Sequence, residues 1–341
     1  MRALVNPGAD RELVPEPSTA AVRFHASLDG YSPTPLRELA SLARELRLAA
    51  IWLKDESSRL GLPAFKILGA SWAVERALRE HPETHTLVAA SAGNHGRAVA
   101  HLAARLGLRA RIFLPARASP ARREAIAAEG ADVVVVDGAY EDAVAHARDA
   151  AARPGVLELA DVGAFGPAEW VIDGYATLFA EVAGQGSFEV LLVPAGVGSL
   201  AAAAARFGAQ HGVRVIGVEP ASAACLTASL AAGEPTAVET PGTTMAGLDC
   251  AEVSLAAWPS LHRGIDGTVT LSDDEAAAAV AELEAYGFEI GASGAAPLAA
   301  LRALATEPEC AALRDAVGLS QDARVLLVAT EGRTDRPPRA T

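Results

Sequence analysis

Cysteine is scarce in this chain: among 341 residues only Cys225, Cys250 and Cys310 carry a thiol. They are widely spaced, match no metal-ligand or disulfide pattern, and read as reduced thiols of a cytoplasmic protein with no metal. Positive charge is also short, with 29 Lys and Arg against 42 Asp and Glu and a formal net charge of −13. That balance disfavours nucleic acid and acidic membrane surfaces as partners. Near Met1 no basic start leads into an apolar run, and no stretch is long and apolar enough to span a bilayer. Gly/Ser linkers and internal repeats are missing too. What is abundant is apolar side chain, 51% of the whole, enough to bury two lobes of ordinary domain size.

Short β-branched runs alternate with alanine-rich helical patterns, the mark of an α/β protein whose parallel-rich sheets are covered by helices. Strands are expected at Ile51 to Lys54, Leu87 to Ala90, Ala110 to Leu114, Asp132 to Val136, Val190 to Val193, Val213 to Val218 and Val325 to Ala329. Helices are expected between them, among others Leu36 to Leu46, Lys66 to Glu80, Ala98 to Leu106, Glu169 to Ala183, Asp273 to Glu284 and Ala296 to Ala303. The first twenty or so residues, with Pro7, Pro15 and Pro17, have no periodic apolar pattern and read as an arm, mobile or lying on a neighbouring subunit.

Three segments carry chemistry. Lys66 is a lone cation in the apolar stretch Pro63-Ala64-Phe65-Lys66-Ile67-Leu68-Gly69-Ala70, the start of a helix. A buried ammonium is costly unless paired or neutral, so its place asks for a chemical reason, and an imine with an aldehyde cofactor is one. The alternative is a stem lying along the helix with its amine in water. Ser91-Ala92-Gly93-Asn94-His95-Gly96 joins a strand to a helix, an arrangement that aims backbone N–H groups at an anion; it also fits an ordinary turn. Pro194-Ala195-Gly196-Val197-Gly198-Ser199 does the same with two glycines, which let the backbone close around a phosphate. A second reading of this turn stays open. Gly196 to Ala201 also fits a dinucleotide fingerprint, with Glu219 placed as a ribose ligand, which would make the chain an NAD-dependent oxidoreductase.

Taken in order, these segments resemble the fold-type II pyridoxal-phosphate enzymes, the family of threonine dehydratase, cysteine synthase and tryptophan synthase β. Within it they are most similar to the ammonia-lyases of diaminopropionate. The resemblance runs from about residue 23 to 335. It is carried by Arg23-Phe24-His25, Tyr31 with Thr34-Pro35-Leu36, Trp52 to Ser57, Arg59 to Lys66, Gly93-Asn94-His95-Gly96, Gly174 to Leu178, Ala195 to Gly198, Val218-Glu219-Pro220, Met245 to Leu248 and Thr330-Glu331-Gly332.

The resemblance implies a small lobe, residues 67–175, inserted into a large cofactor-binding lobe of residues 1–66 and 176–341, with pyridoxal 5'-phosphate in the crevice between them. It implies that Lys66 holds the cofactor as an imine and then serves as a base. The backbone of Gly196, Val197, Gly198 and Ser199 would take the phosphate, Asn94 the ring hydroxyl, and Ser91, Ala92, Gly93, Asn94 and His95 the substrate carboxylate. Thr330 would face the pyridine nitrogen, leaving a mild electron sink suited to β-elimination. Asp161 would act on the substrate's Cα proton or its β-amine. The implied reaction turns 2,3-diaminopropionate into pyruvate and ammonia in a homodimer with a small amino-acid substrate. A serine or threonine dehydratase and a non-catalytic binding relative remain alternatives.

Two departures stand out. Relatives that accept both enantiomers have an aspartate where this chain has Ala92, so the base for one enantiomer is missing and L selectivity is expected. Ala292 and Arg333 replace acidic residues, which would remove negative charge near the cofactor ring.

Overall fold

The computed structural model describes residues 1–138, 140–160 and 162–333. Its strands in chain order are β1 (Ala3–Val5), β2 (Leu36–Glu38), β3 (Ala50–Asp55), β4 (Thr86–Ala90), β5 (Arg109–Pro115), β6 (Asp132–Val136), β7 (Val156–Glu158), β8 (Val190–Pro194), β9 (Arg214–Pro220), β10 (Gly267–Leu271) and β11 (Arg324–Ala329). The chain divides into two compact units, one of residues 1–65 and 175 onward, the other Lys66–Gly174.

The first unit is built on a seven-stranded sheet, ordered β1-β10-β9-β8-β11-β3-β2. The five central strands are parallel, and β1 and β2 join the edges antiparallel. Val190-Leu191-Leu192-Val193 is fully buried, as expected of a central parallel strand covered on both faces. The core joins Leu53, Leu192, Ile216 and Leu327 of the sheet to Leu298 and Leu301 of the helix Ala292–Thr306 and Leu283 of the helix Asp273–Ala285. Alanines 201 to 205 are buried, so the helix Ser199–His211 lies close against its neighbours without bulky side chains.

The second unit holds a four-stranded parallel sheet, β6-β5-β4-β7. The helices Lys66–Glu80 and Asn94–Leu106 pack on one another there. Val88, Phe113 and Val136 meet Ala143 and Ala147 of the helix Tyr140–Ala151 in its core.

All seven expected strands are present. Two expectations are corrected. Leu36 to Leu46 is not one helix: Leu36–Glu38 pairs with β3, and the helix spans only Ala40–Leu46. The N-terminal segment is no free arm, because β1 pairs with β10 and the Arg2 guanidinium reaches Glu275 at 2.5 Å and Glu307 at 2.7 Å. Residues Thr19–Ala26 form a helix that buries Ala21 and His25.

Candidate active site

In the first unit, neighbouring parallel strands bring several chain segments to one edge of the sheet. β8 and β11 are paired, as are β11 and β3, so the turn after Pro194, Thr330 after Ala329, and Glu56 after Asp55 all leave from the carboxyl ends. Open parallel sheets place ligands outside that edge.

The turn after β8 is held from outside. The Gly196 carbonyl accepts from the Cys225 thiol at 3.6 Å, the Val197 carbonyl from the Ser254 N–H at 2.8 Å, and the Gly198 carbonyl from Ala202 N–H at 2.8 Å. A trans peptide points its N–H away from its carbonyl, so anchoring these carbonyls turns the N–H groups of Val197, Gly198 and Ser199 the opposite way. Both glycines are required. A Cβ on Gly196 would come within 2.9 Å of the Gly247 carbonyl, and Gly198 has φ +91° with Leu261 only 2.5 Å from where its Cβ would be. Gly198 is the N-cap of Ser199–His211 and makes no side-chain cap. Backbone donors and a positive helix end together fit a phosphate.

The dinucleotide reading fails on Glu219. This carboxylate is fully buried and accepts Leu226 N–H at 2.7 Å, Thr227 N–H at 2.8 Å and the Thr227 hydroxyl at 2.7 Å. Burial pushes its pKa up to about 7 against those donors. It caps the helix Cys225–Ala232 and has no route to a ribose.

Thr330 is buried, and its carbonyl accepts the Phe65 N–H at 3.2 Å, which sets the residue before Lys66 at the same edge. Beside it, a Glu331 oxygen lies 3.1 Å from the Cβ position of Gly291, next to Ala292. The Arg333 guanidinium pairs with Glu284 at 3.3 Å.

In the second unit, Lys66 opens the helix Lys66–Glu80 as a half-buried side chain, with Ile67, Leu68, Gly69 and Ala70 buried behind it. The chain has two lysines, Lys54 and Lys66. Lys54 is fully buried and donates to Glu181, Gln185 and the Thr34 carbonyl at 2.7, 2.9 and 2.9 Å. Its amine is thus engaged by three acceptors in the interior.

Asn94 begins the helix Asn94–Leu106, with Gly93 as an N-cap lacking a side-chain bond. Ser91 Oγ accepts the Gly93 N–H at 3.2 Å. His95 is buried, with Nε2 2.8 Å from the Leu159 carbonyl, so its ring belongs to the packing and only its backbone lies at the helix start. Asp161 lies outside the described residues.

A cluster that the motif reading passed over surrounds Arg59. This guanidinium bonds Glu56 at 2.9 and 2.6 Å, Glu181 at 2.6 and 2.9 Å, and Thr34 Oγ1 at 3.0 Å. Burial works against the cation, but Glu56 and Glu181 outweigh it and raise the pKa above the ordinary arginine value. The available signal was a glutamate on the apolar face formed by Leu178 and Val182, which needs a buried cation.

Comparison with known proteins agrees with this geometry. The family described as pyridoxal-phosphate dependent enzyme matches residues 27–331. Diaminopropionate ammonia-lyase of Salmonella typhimurium is 34% identical over 91% of this chain and 88% of its own length; that of Escherichia coli K12 is 33% identical over 92% and 88%. The crystal structure of the Escherichia coli diaminopropionate ammonia lyase with an aminoacrylate-PLP azomethine reaction intermediate superimposes with a TM-score of 0.89 at 32% identity, covering 98% of this chain and 94% of that one.

Proposed function

Since the chain belongs to the pyridoxal-phosphate-dependent enzymes, we propose that it removes ammonia from 2,3-diaminopropionate by β-elimination, leaving pyruvate and ammonia. The observation that carries this reading is an ammonia-lyase likeness spanning 91% of the chain. When bound, pyridoxal 5'-phosphate supplies the electron sink for a carbanion at Cα.

The chain's own groups do the rest. Gly196, Val197, Gly198 and Ser199 bind the phosphate through backbone N–H groups and the end of their helix. The Lys66 amine would hold the cofactor and would serve as the base at Cα. Asn94 orients the ring hydroxyl, and the N–H groups of Ser91 to His95 hold the substrate carboxylate. Thr330 would offer the ring nitrogen a neutral hydroxyl, which does not hold it protonated. Asp161 delivers a proton at the β-amine, which leaves as ammonia. Water would then hydrolyse the enamine that remains, giving pyruvate and releasing the α-amino group as a second ammonia.

Preference for the L enantiomer follows from Ala92, which offers no base on the second face. We also infer a cytoplasmic homodimer; among the described residues no helix is long and apolar enough to cross a membrane. Keto-acid release from a panel of β-substituted amino acids tests the substrate. Diaminopropionate is expected to be turned over fastest, and faster release from serine or threonine would reassign the enzyme to the dehydratases.

A further inference from the structure

A lysine stem has four rotatable carbons, so a useful Lys66 amine needs a backbone that does not wander. The segment before it, Glu56 to Phe65, belongs to no helix and no sheet strand. It is nonetheless held at each stage. Glu56 N–H donates to the Ala329 carbonyl at 2.9 Å, Gly332 N–H to Pro63 at 2.9 Å, and Phe65 N–H to Thr330 at 3.2 Å. Midway, Arg59 and Leu62 exchange backbone bonds of 2.8 and 3.0 Å around Leu60 and Gly61, both at positive φ, 50° and 85°. Leucine seldom adopts that conformation, which persists only where the surroundings impose it.

At the start of this turn the side chain of Arg59 is buried, 2% exposed. One edge of its guanidinium grips Glu56, at the start of the segment, and another grips Glu181, on the helix Pro167–Gln185. Tyr31 adds a hydroxyl to Glu181 at 2.8 Å, and Gln185 an amide to the Thr34 carbonyl at 2.9 Å. At the far end of the segment, the Phe65 ring lies 4.8 Å from that of Tyr175, on the same helix as Glu181. Within the second unit, the first turn of the helix that begins at Lys66 meets Gly174, whose Cβ position is 2.5 Å from the Leu68 carbonyl.

Buried ion clusters are a poor device for stability, since apolar residues of similar shape often serve as well. They are a good device for fixing one geometry, because a planar fork accepts its carboxylates in one orientation only. We propose that Arg59, bridging Glu56 and Glu181, is the positioning residue that sets the backbone from which Lys66 reaches the cofactor. This rests on the reading that Lys66 carries pyridoxal phosphate.

The test uses holoenzyme of the wild type, Arg59→Lys, Thr34→Val and, as a surface control, Arg302→Lys, whose partners Glu45 and Glu282 lie outside the site. Arg59→Lys keeps the charge and loses the fork; Thr34→Val removes one hydroxyl and decides the matter if Arg59→Lys does not fold. Small misplacements of reacting groups cost on the order of tenfold to a hundredfold. Both variants are therefore expected to lower kcat by about tenfold or more, with KM changed far less, and to shift the pH midpoint of the lysine–cofactor absorbance band. The control should leave both unchanged. A lower melting temperature with kcat and the absorbance midpoint unaltered in both variants would show that the cluster is structural only. Failure of borohydride to label Lys66 in the wild type would instead remove the underlying reading.

Discussion

Gly198 and Gly212 make a controlled pair, since both have positive φ, 91° and 71°, but only the first sits in the turn after β8. Alanine at either position carries the conformational cost of about 1–2 kcal/mol. At Gly198 the added methyl also meets Leu261, whereas at Gly212 nothing lies within 4 Å. Gly198→Ala is expected to weaken cofactor binding tenfold or more, while Gly212→Ala lowers only the melting temperature. Equal cofactor affinity in both would argue against the phosphate cradle. Ala92→Asp is expected to raise turnover of the D enantiomer, and general-base catalysis worth about a hundredfold or more would be plain in a pyruvate assay. Unequal effects on the two enantiomers are the signature; equal wild-type rates would mean another residue serves the second face. At this scale the lysine and the two turns are legible because their neighbours are adjacent in sequence. The Arg59 cluster is not, since Glu181 and Arg59 meet only after the helix Pro167–Gln185 has packed.

Among the elements, the helix Lys66–Glu80 matches its expected bounds, because a long apolar pattern defines it. β1 escapes the same reading. Its three residues are too few to show a period, and long-range contacts decide it: Arg2 bridging Glu275 and Glu307, and Asn6 donating to the carbonyls of His262 and Ile265 at 2.8 and 2.6 Å. Leu36–Glu38 was hidden for a similar reason, since pairing with β3 overrides the helical pattern that continues through Leu46. Removing residues 1–14 should therefore lower the melting temperature and expose the edge of β10 to self-association. An unchanged melting curve and a monodisperse truncated protein would contradict that role. The helix Asp273–Ala285 offers a milder test: Ser272 and Glu275 form a capping box, and Ser272→Ala should cost about 1 kcal/mol in a denaturant titration without changing activity.

For the whole molecule, pH reaches the fold through its held carboxylates. Burial alone would raise the Glu181 carboxyl, but Arg59 and then Lys54 outweigh it and hold it below its ordinary value of 4.5. Glu129 is lowered in the same sense, burial being outweighed by His101 and Arg97. A depressed carboxyl contributes stability that is complete above its unfolded pKa and is lost as pH falls through the folded one. The melting temperature should thus drop as pH is taken below about 4.5, and Glu181→Gln should flatten that part of the curve. A parallel curve for the variant would deny Glu181 its share. The α/β class was legible from the alternation of strands and helices. The order of strands in the sheet was not, because it depends on pairings such as β11 with β3 that bridge most of the chain.

The account stands most directly on the chain having two lysines, one of them sealed among Glu181, Gln185 and Thr34. Borohydride reduction of the protein loaded with pyridoxal phosphate, followed by peptide mapping, measures which amine carries the cofactor. The predicted result is a single modified peptide containing Lys66, lost in Lys66→Ala. A label on Lys54 or on the N-terminal amine, with Lys66 unmodified, would contradict it.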